Sequence, residues 1–129
     1  MQAGKIMVGL VEPVRIIGPK GEVEVLAKFD TGARRTSIDK SLVQKIKPSF
    51  VGRTTVRNVH GTSRRPLVRV NLRIKGKNIK TKANVADRRS RRYKIIIGRD
   101  VIFSNFVIDI TLSHSSPNLD DLNESMRHR

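Results

Sequence analysis

The sequence contains no cysteine, which excludes disulfides, thiolate zinc sites and cysteine nucleophiles. It has no tryptophan and only 4% aromatic residues, so rings for stacking on nucleic-acid bases are nearly absent. Acids are scarce, with 11 Asp+Glu against 27 Lys+Arg and a formal net charge of +16. Apolar runs are short, and none approaches the roughly 18 residues of a membrane span. Residues 1–12 hold one Lys and a short apolar stretch, with no long apolar region and no small-residue cleavage site. A signal peptide is therefore not expected, and a cytoplasmic location is. His60, His114 and His128 are too widely spread for a histidine-rich metal site. No metal and no cofactor is expected.

What is present is a chain of 129 residues, one domain or one domain plus a tail. A domain of this size buries roughly two-thirds of its unfolded surface, enough for a core without staples. The charge is unevenly placed. From Arg53 to Arg99 there are sixteen Lys/Arg and a single acid, Asp87. A field of that sign favours a polyanionic partner, either nucleic acid or a glutamate-rich peptide or protein. A solvated basic surface without a partner is the plainer reading.

The dominant hydrophobic period is two. Ile6–Leu10 and Val14–Ile17 are short apolar runs, and Gly18-Pro19-Lys20-Gly21 is a turn signal before a strand over Val23–Phe29. Val68, Val70, Leu72 and Ile74 alternate with Arg69, Asn71, Arg73 and Lys75, which predicts a half-buried strand with a basic outer face. Gly76 and the return over Ile79–Val85 make 67–85 a hairpin. Tyr93–Ile97 and Phe106–Ile110 are further strand candidates. A helix is expected at Lys40–Ile46, opened by Asp39 as N-cap and closed before Pro48, and a second at Asp100–Ser104. About seven short strands predict a mainly β domain over 1–112, with 113–129 as a polar, mobile C-terminal tail.

Two segments carry chemistry. Asp30-Thr31-Gly32-Ala33 directly follows a strand, so its carboxylate stands in a turn, where Gly32 allows a backbone to come close. An Asx-type turn ending a hairpin would satisfy these residues alone. The second segment, Ile95-Ile96-Ile97-Gly98-Arg99-Asp100, is an apolar strand running into Gly-Arg-Asp, with Gly98 68 residues after Asp30.

Together these motifs resemble the retropepsin-like aspartic proteases. The nearer likeness is to the bacterial and archaeal retropepsin-like family known as ATP-dependent zinc proteases. It rests on Val8-Gly9-Leu10-Val11-Glu12, on Asp30 to Ser37 with Arg35 as one extra residue, on Arg65-Pro66, on Asp87-Arg88 and on Phe106-Val107-Ile108-Asp109. It spans about residues 6–111. The resemblance implies a closed or partly open β-barrel with one or two short helices. It also implies an aspartic endopeptidase with Asp30 as the catalytic residue.

Aspartic proteolysis uses two carboxylates that share one proton, one acting on water and one polarising the scissile carbonyl. One Asp-Thr-Gly per chain therefore requires a homodimer with Asp30 of each subunit on the two-fold axis. By resemblance, Thr31 bonds across that axis, Gly32 offers its carbonyl to the substrate, and Ala33, Gly98, Arg99 and Asp100 support the turn. The hairpin Val56–Val70 takes the position of the family's flap, with its tip near His60-Gly61-Thr62-Ser63. Arg34, Arg35, His60, Gly61, Arg64 and Arg65 are then substrate-binding candidates, and the arginines suit acidic peptide or protein substrates. The family's frequent proximity to glutamate-adding ligases points the same way.

Viral retropepsins carry an acid where this chain has Arg34, so Arg99 is expected to pair with Asp100 or with Asp30 itself. Nothing supplies a zinc ligand set, nor a phosphate-binding glycine loop for ATP. The alternative function is a non-catalytic module of the same fold, docking its basic surface onto RNA, ribosomal protein or an acidic tail. A β domain that binds nucleic acid and matches the motifs by chance is the third reading.

Overall fold

The computed structural model describes residues 4–112; the tail expected at 113–129 lies outside them. The alternation read from the sequence becomes the wall of a barrel. Strand β2 (Val11–Gly18) turns into β3 (Gly21–Phe29), burying Val14 and Ile16 while Pro13 and Arg15 face out. Gly18 pairs with Gly21 across the turn. A Cβ on Gly18 would lie 2.4 Å from the Ile46 carbonyl oxygen, because the last turn of the first helix rests there.

Strands β6 (Gly61–Ile74) and β7 (Lys77–Ala86) form the expected hairpin. Its two central turn residues, Lys75 and Gly76, have φ of 49° and 80°. Positive φ at both positions matches the right-handed twist of the flanking strands. Val68, Val70, Leu72 and Ile74 point inward, as their spacing predicts. Strand β8 (Ile95–Ile97) lies between β3 and β4 (Ser37–Asp39), and β4 in turn pairs with β7. The ring β2-β3-β8-β4-β7-β6 closes when β6 returns to β2 through Arg15↔Arg73, Ile16↔Leu72 and Ile17↔Asn71. Closure removes the free edges of an open sheet. Strand β5 (Ser49–Asn58) extends outside this ring, paired to β6. Strands β1 (Ile6–Val8) and β9 (Phe106–Ile108) form a separate parallel pair.

The barrel interior holds Ile16, Phe29, Ile38, Val70, Leu72, Ile95 and Ile97, all essentially buried. Phe106 packs edge-on to Phe29, ring centroids 5.5 Å apart. Helix α1 (Lys40–Ile46) caps the core with Leu42 and Ile46, and helix α2 (Arg99–Asn105) with Val101. The first helix has the expected bounds; the second starts one residue earlier and ends one later. Among the described residues no helix is long and apolar enough to cross a membrane.

Several expected strands are shorter. The run Ile6–Leu10 pairs only to Val8, because the Gly9 N–H turns to donate to Glu12 Oε2 at 2.7 Å. The run Phe106–Ile110 stops at Ile108, where Asp109 accepts bonds from the Thr111 N–H and hydroxyl. In Tyr93–Ile97, pairing begins only at Ile95. One strand, β4, was not legible in advance, and of β5 only Val56–Asn58 falls within the hairpin expected over Val56–Val70. Strand β5 buries none of its residues fully, and β4 is only three residues long, two of them polar.

Asp39 joins β4 to α1. It is 3% exposed and accepts from the Ser41 N–H and hydroxyl and from the Arg88 N–H. Burial pushes its carboxyl up, but those hydrogen bonds and the Lys94 charge outweigh burial and hold it below the ordinary carboxylate value. A carboxyl lowered by folding stabilises the protein above the unfolded pKa and loses that effect as pH falls through its folded value. Asp39→Ala is expected to cost about 1–2 kcal/mol at neutral pH by urea denaturation. The gap to wild type should narrow as pH drops below about 4.

Candidate active site

The site is built where two chain segments cross. The first is the turn after β3. The Asp30 N–H donates to the Ile97 carbonyl at 2.8 Å, fastening the turn to the end of β8. The Ala33 N–H donates back to the Asp30 carbonyl at 3.1 Å, and the Gly32 N–H to Asp30 Oδ1 at 2.8 Å. The half-buried carboxylate is thus oriented by its own loop, and no ion pair engages it among the described residues.

The second segment is Gly98-Arg99-Asp100, between β8 and α2. A Cβ on Gly98 would sit 2.5 Å from the Arg35 carbonyl carbon and 2.9 Å from the Thr36 nitrogen, so only glycine allows this crossing. The Arg99 N–H donates to the Ala33 carbonyl at 2.8 Å and the Asp100 N–H to the Arg34 carbonyl at 3.2 Å. Thr36, fully buried, ties the layers together: its hydroxyl accepts from the Gly98 N–H at 3.1 Å and donates to Asp100 Oδ1 at 2.9 Å. The Thr36 N–H donates to the same oxygen at 3.0 Å.

The expected partners of Arg99 are not the observed ones. Its Nη1 donates to the Thr31 carbonyl at 2.8 Å rather than to a carboxylate. Asp100 is taken up by Thr36, with the Thr81 hydroxyl at 3.4 Å from its second oxygen, and Asp30 by its own turn. The guanidinium still braces the turn, through a backbone oxygen.

Asp30, Thr31, Gly32, Ala33, Gly98, Arg99 and Asp100 therefore form one hydrogen-bonded unit. His60 and Gly61 lie at the exposed tip of the β5–β6 hairpin, where Asn58 Oδ1 accepts from the His60 N–H at 2.8 Å. No hydrogen bond or ion pair among the described residues joins His60, Gly61 or Arg64 to the Asp30 turn. Arg34 is exposed and Arg35 half-buried. Arg65 is half-buried and donates to Asn84 Oδ1 at 3.1 Å, an oxygen that also accepts from the Ser37 hydroxyl at 2.8 Å.

Sequence reasoning left Asn84 out of the site and placed Arg88 only among the arginines that precede the supporting strand. Arg88 is half-buried, and its Nε donates to the Tyr93 carbonyl at 2.8 Å. Burial draws its pKa down, the like charges of Arg91 and Arg65 add to that, and Asp39 and Asp30 oppose it. Arg88 and Arg65 thus place positive charge within electrostatic reach of one another, and Arg88 within reach of Asp30. The Asp87-Arg88 motif was the available signal. The burial that sets Arg88 apart from its solvated neighbours comes only from packing.

Among the described residues no three His, Cys, Asp or Glu side chains gather as a metal-binding group.

No protein-family model and no curated protein matches the sequence. Solved structures do match. A Legionella pneumophila protein of unknown function (DUF785) is 23% identical, covering 83% of this chain and 94% of that one, with a TM-score of 0.55. EIAV protease complexed with the inhibitor HBY-793 is 24% identical over 72% of this chain and 84% of its own, with a TM-score of 0.59. A foamy viral protease-reverse transcriptase in complex with an RNA/DNA hybrid is 22% identical over 72% of this chain and 11% of its own, with a TM-score of 0.53. The chain has the retropepsin fold: a mainly β, closed six-stranded barrel with two short helices.

Thr36→Val keeps the shape of the side chain but removes the hydroxyl. It leaves the buried Gly98 N–H without its acceptor and should cost about 1–3 kcal/mol in chemical denaturation. Thr36→Ser, which retains the hydroxyl, should recover most of that loss.

Proposed function

We propose that this chain is an aspartic endopeptidase of the cytoplasm that works as a homodimer, Asp30 of each subunit meeting on the two-fold axis. The observation that carries this reading is the Asp30 turn. A carboxylate free of ion pairs stands at a strand end, held by backbone hydrogen bonds over a glycine-only crossing. A purely structural Asp in an Asx turn has no need of that second layer. Two such carboxylates brought together would titrate as a pair sharing one proton, the arrangement that activates water. In the dimer Thr31, whose carbonyl Arg99 already holds, bonds across the axis, and Gly32 presents its carbonyl to the substrate.

The β1–β9 pair supplies dimer-forming material. Among the described residues no third strand pairs with either member, and Met7, 51% exposed, lies on it. The β5–β6 hairpin serves as the flap, with Gly61 at φ 120° and Val59 94% exposed at its tip.

The substrate class follows from the arginines. Arg65 and Arg88 are partly desolvated, repel one another and make no ion pair among the described residues. A substrate carboxylate would relieve that repulsion, and Arg34 and Arg35 add to the same field. The finer kinship with ATP-dependent zinc proteases rests on the sequence motifs alone. The non-catalytic module, in which the same basic surface docks RNA, ribosomal protein or an acidic tail without hydrolysis, is separated from this reading by the first experiment below.

Asp30→Asn should leave a folded dimer by light scattering and lower peptide cleavage by at least about a hundredfold. Equal cleavage by wild type and variant, or a strictly monomeric wild type, would end the aspartic reading. A poly-glutamate peptide should inhibit cleavage more strongly than a neutral peptide of equal length, and less so at physiological salt than at low salt. Arg65→Gln should narrow that difference; equal inhibition by both peptides in wild type would remove the acidic-substrate assignment.

A further inference from the structure

The barrel wall opposite its own interior carries a feature that peptide hydrolysis does not use. On β6 the outward positions are Arg69, Asn71 and Arg73; on β7 they are Asn78, Lys80 and Lys82; all six are exposed. Register sets them side by side as Arg69↔Lys82, Asn71↔Lys80 and Arg73↔Asn78, and the closing strand β2 brings Arg15 directly opposite Arg73. Two like-charged cross-strand pairs, Arg69–Lys82 and Arg15–Arg73, therefore stand on one face. Like charges directly opposite one another in a sheet oppose its stability.

Within β6 and β7 themselves no carboxylate stands among these cations. Among the described residues the ion pairs are Lys75–Glu12 and Arg89–Asp87, and none involves this face. No acid occurs between Arg53 and Ala86. The nearest carboxylate by register is Glu24, opposite Arg15 at the margin. Arg73 donates to Asn78 Oδ1 at 3.1 Å, which orients the guanidinium without neutralising it.

We propose that this wall of β2, β6 and β7 binds the phosphodiester backbone of nucleic acid, without reading sequence. The choice between nucleic acid and an acidic protein rests on what the face lacks. Stable protein interfaces are anchored by apolar or aromatic residues in a dry centre. The six outward positions of β6 and β7 hold only Arg, Lys and Asn. Phosphate contacts need only cations and amide donors, and they fix position rather than sequence. No aromatic side chain stands among these positions for base stacking, so the backbone is the recognised element. The cations span roughly 14 Å along the strands and 10 Å across them, room for several phosphates at once.

The test is fluorescence anisotropy of the full chain with a labelled short RNA duplex and a DNA duplex of the same sequence. Both duplexes should bind with similar affinity. Log affinity should fall against log salt with a slope of magnitude about 4, as expected for four to five phosphate contacts. The quadruple variant R69Q/R73Q/K80Q/K82Q should bind at least about tenfold more weakly at low salt and lose most of that slope. Its thermal transition should be no lower than that of wild type, since like-charged pairs have been removed. K5Q/K20Q/K40Q/K45Q removes equal charge elsewhere and should stay close to wild type. Asp30→Asn should bind as wild type does, which keeps this result independent of the peptidase reading. Unchanged binding by the first variant, or equal loss in the second, overturns the proposal. Displacement of the duplex by poly-glutamate at equal charge concentration also overturns it, in favour of an acidic protein partner.

Discussion

Gly98 passes so close beneath the Arg35–Thr36 peptide that a single added methyl group would overlap backbone atoms. Backbone cannot yield as a flexible side-chain tip can, so this approach decides how near β8 comes to the Asp30 turn. Much else follows from that distance. It lets the Asp30 N–H reach the Ile97 carbonyl, and lets the Arg99 and Asp100 N–H groups reach the carbonyls of Ala33 and Arg34. It also starts α2 directly under the turn, with Asp100 in the first helical turn where an acid suits the helix dipole.

The protein also buries polar groups that a barrel of this size would otherwise avoid. Glu12, Thr36, Ser37, Asp39 and Asn84 are all buried, and among the described residues no buried side-chain nitrogen or oxygen lacks a hydrogen-bond partner. A buried polar group is costly when unpaired and roughly neutral when fully paired. The benefit is directional: apolar packing tolerates sliding, whereas Thr36 bonded to both Gly98 and Asp100 does not. Asp39 does similar work one strand away, joining the start of α1 to the Arg88 backbone and so positioning the arginine that feels Asp30.

Charge is sorted by the same alternation that builds the core. Each strand of the β6–β7 hairpin sends aliphatic residues inward and Arg, Lys or Asn outward, so closing the barrel necessarily concentrates cations on its wall. Arg35, Arg65 and Arg88 are half-buried, whereas the cations on the wall are exposed. The first setting suits recognition of individual carboxylates, and the second suits a diffuse polyanion.

The period-two pattern, the turn at Gly18–Gly21, the α1 boundaries with the Asp39 cap, and the pairing of the Asp-Thr-Gly turn with the Gly-Arg-Asp strand were all legible in the sequence. The first three depend on local chemistry: alternation, a left-handed turn position and an N-cap carboxylate. The last joins segments 68 residues apart and was implied only by the family resemblance. The short buried strand β4, the part of β5 before Val56, the Thr31 carbonyl as the partner of Arg99, and the burial of Arg88 were not. Those depend on which segments meet across 40 to 70 residues, where several partners satisfy the same donor equally well on paper. Sequence determined that Asp30 sits in a glycine turn and that the hairpin has a basic face. Tertiary structure decided which backbone oxygen Arg99 grips and which cations end side by side, because those outcomes are set by barrel register and close approach.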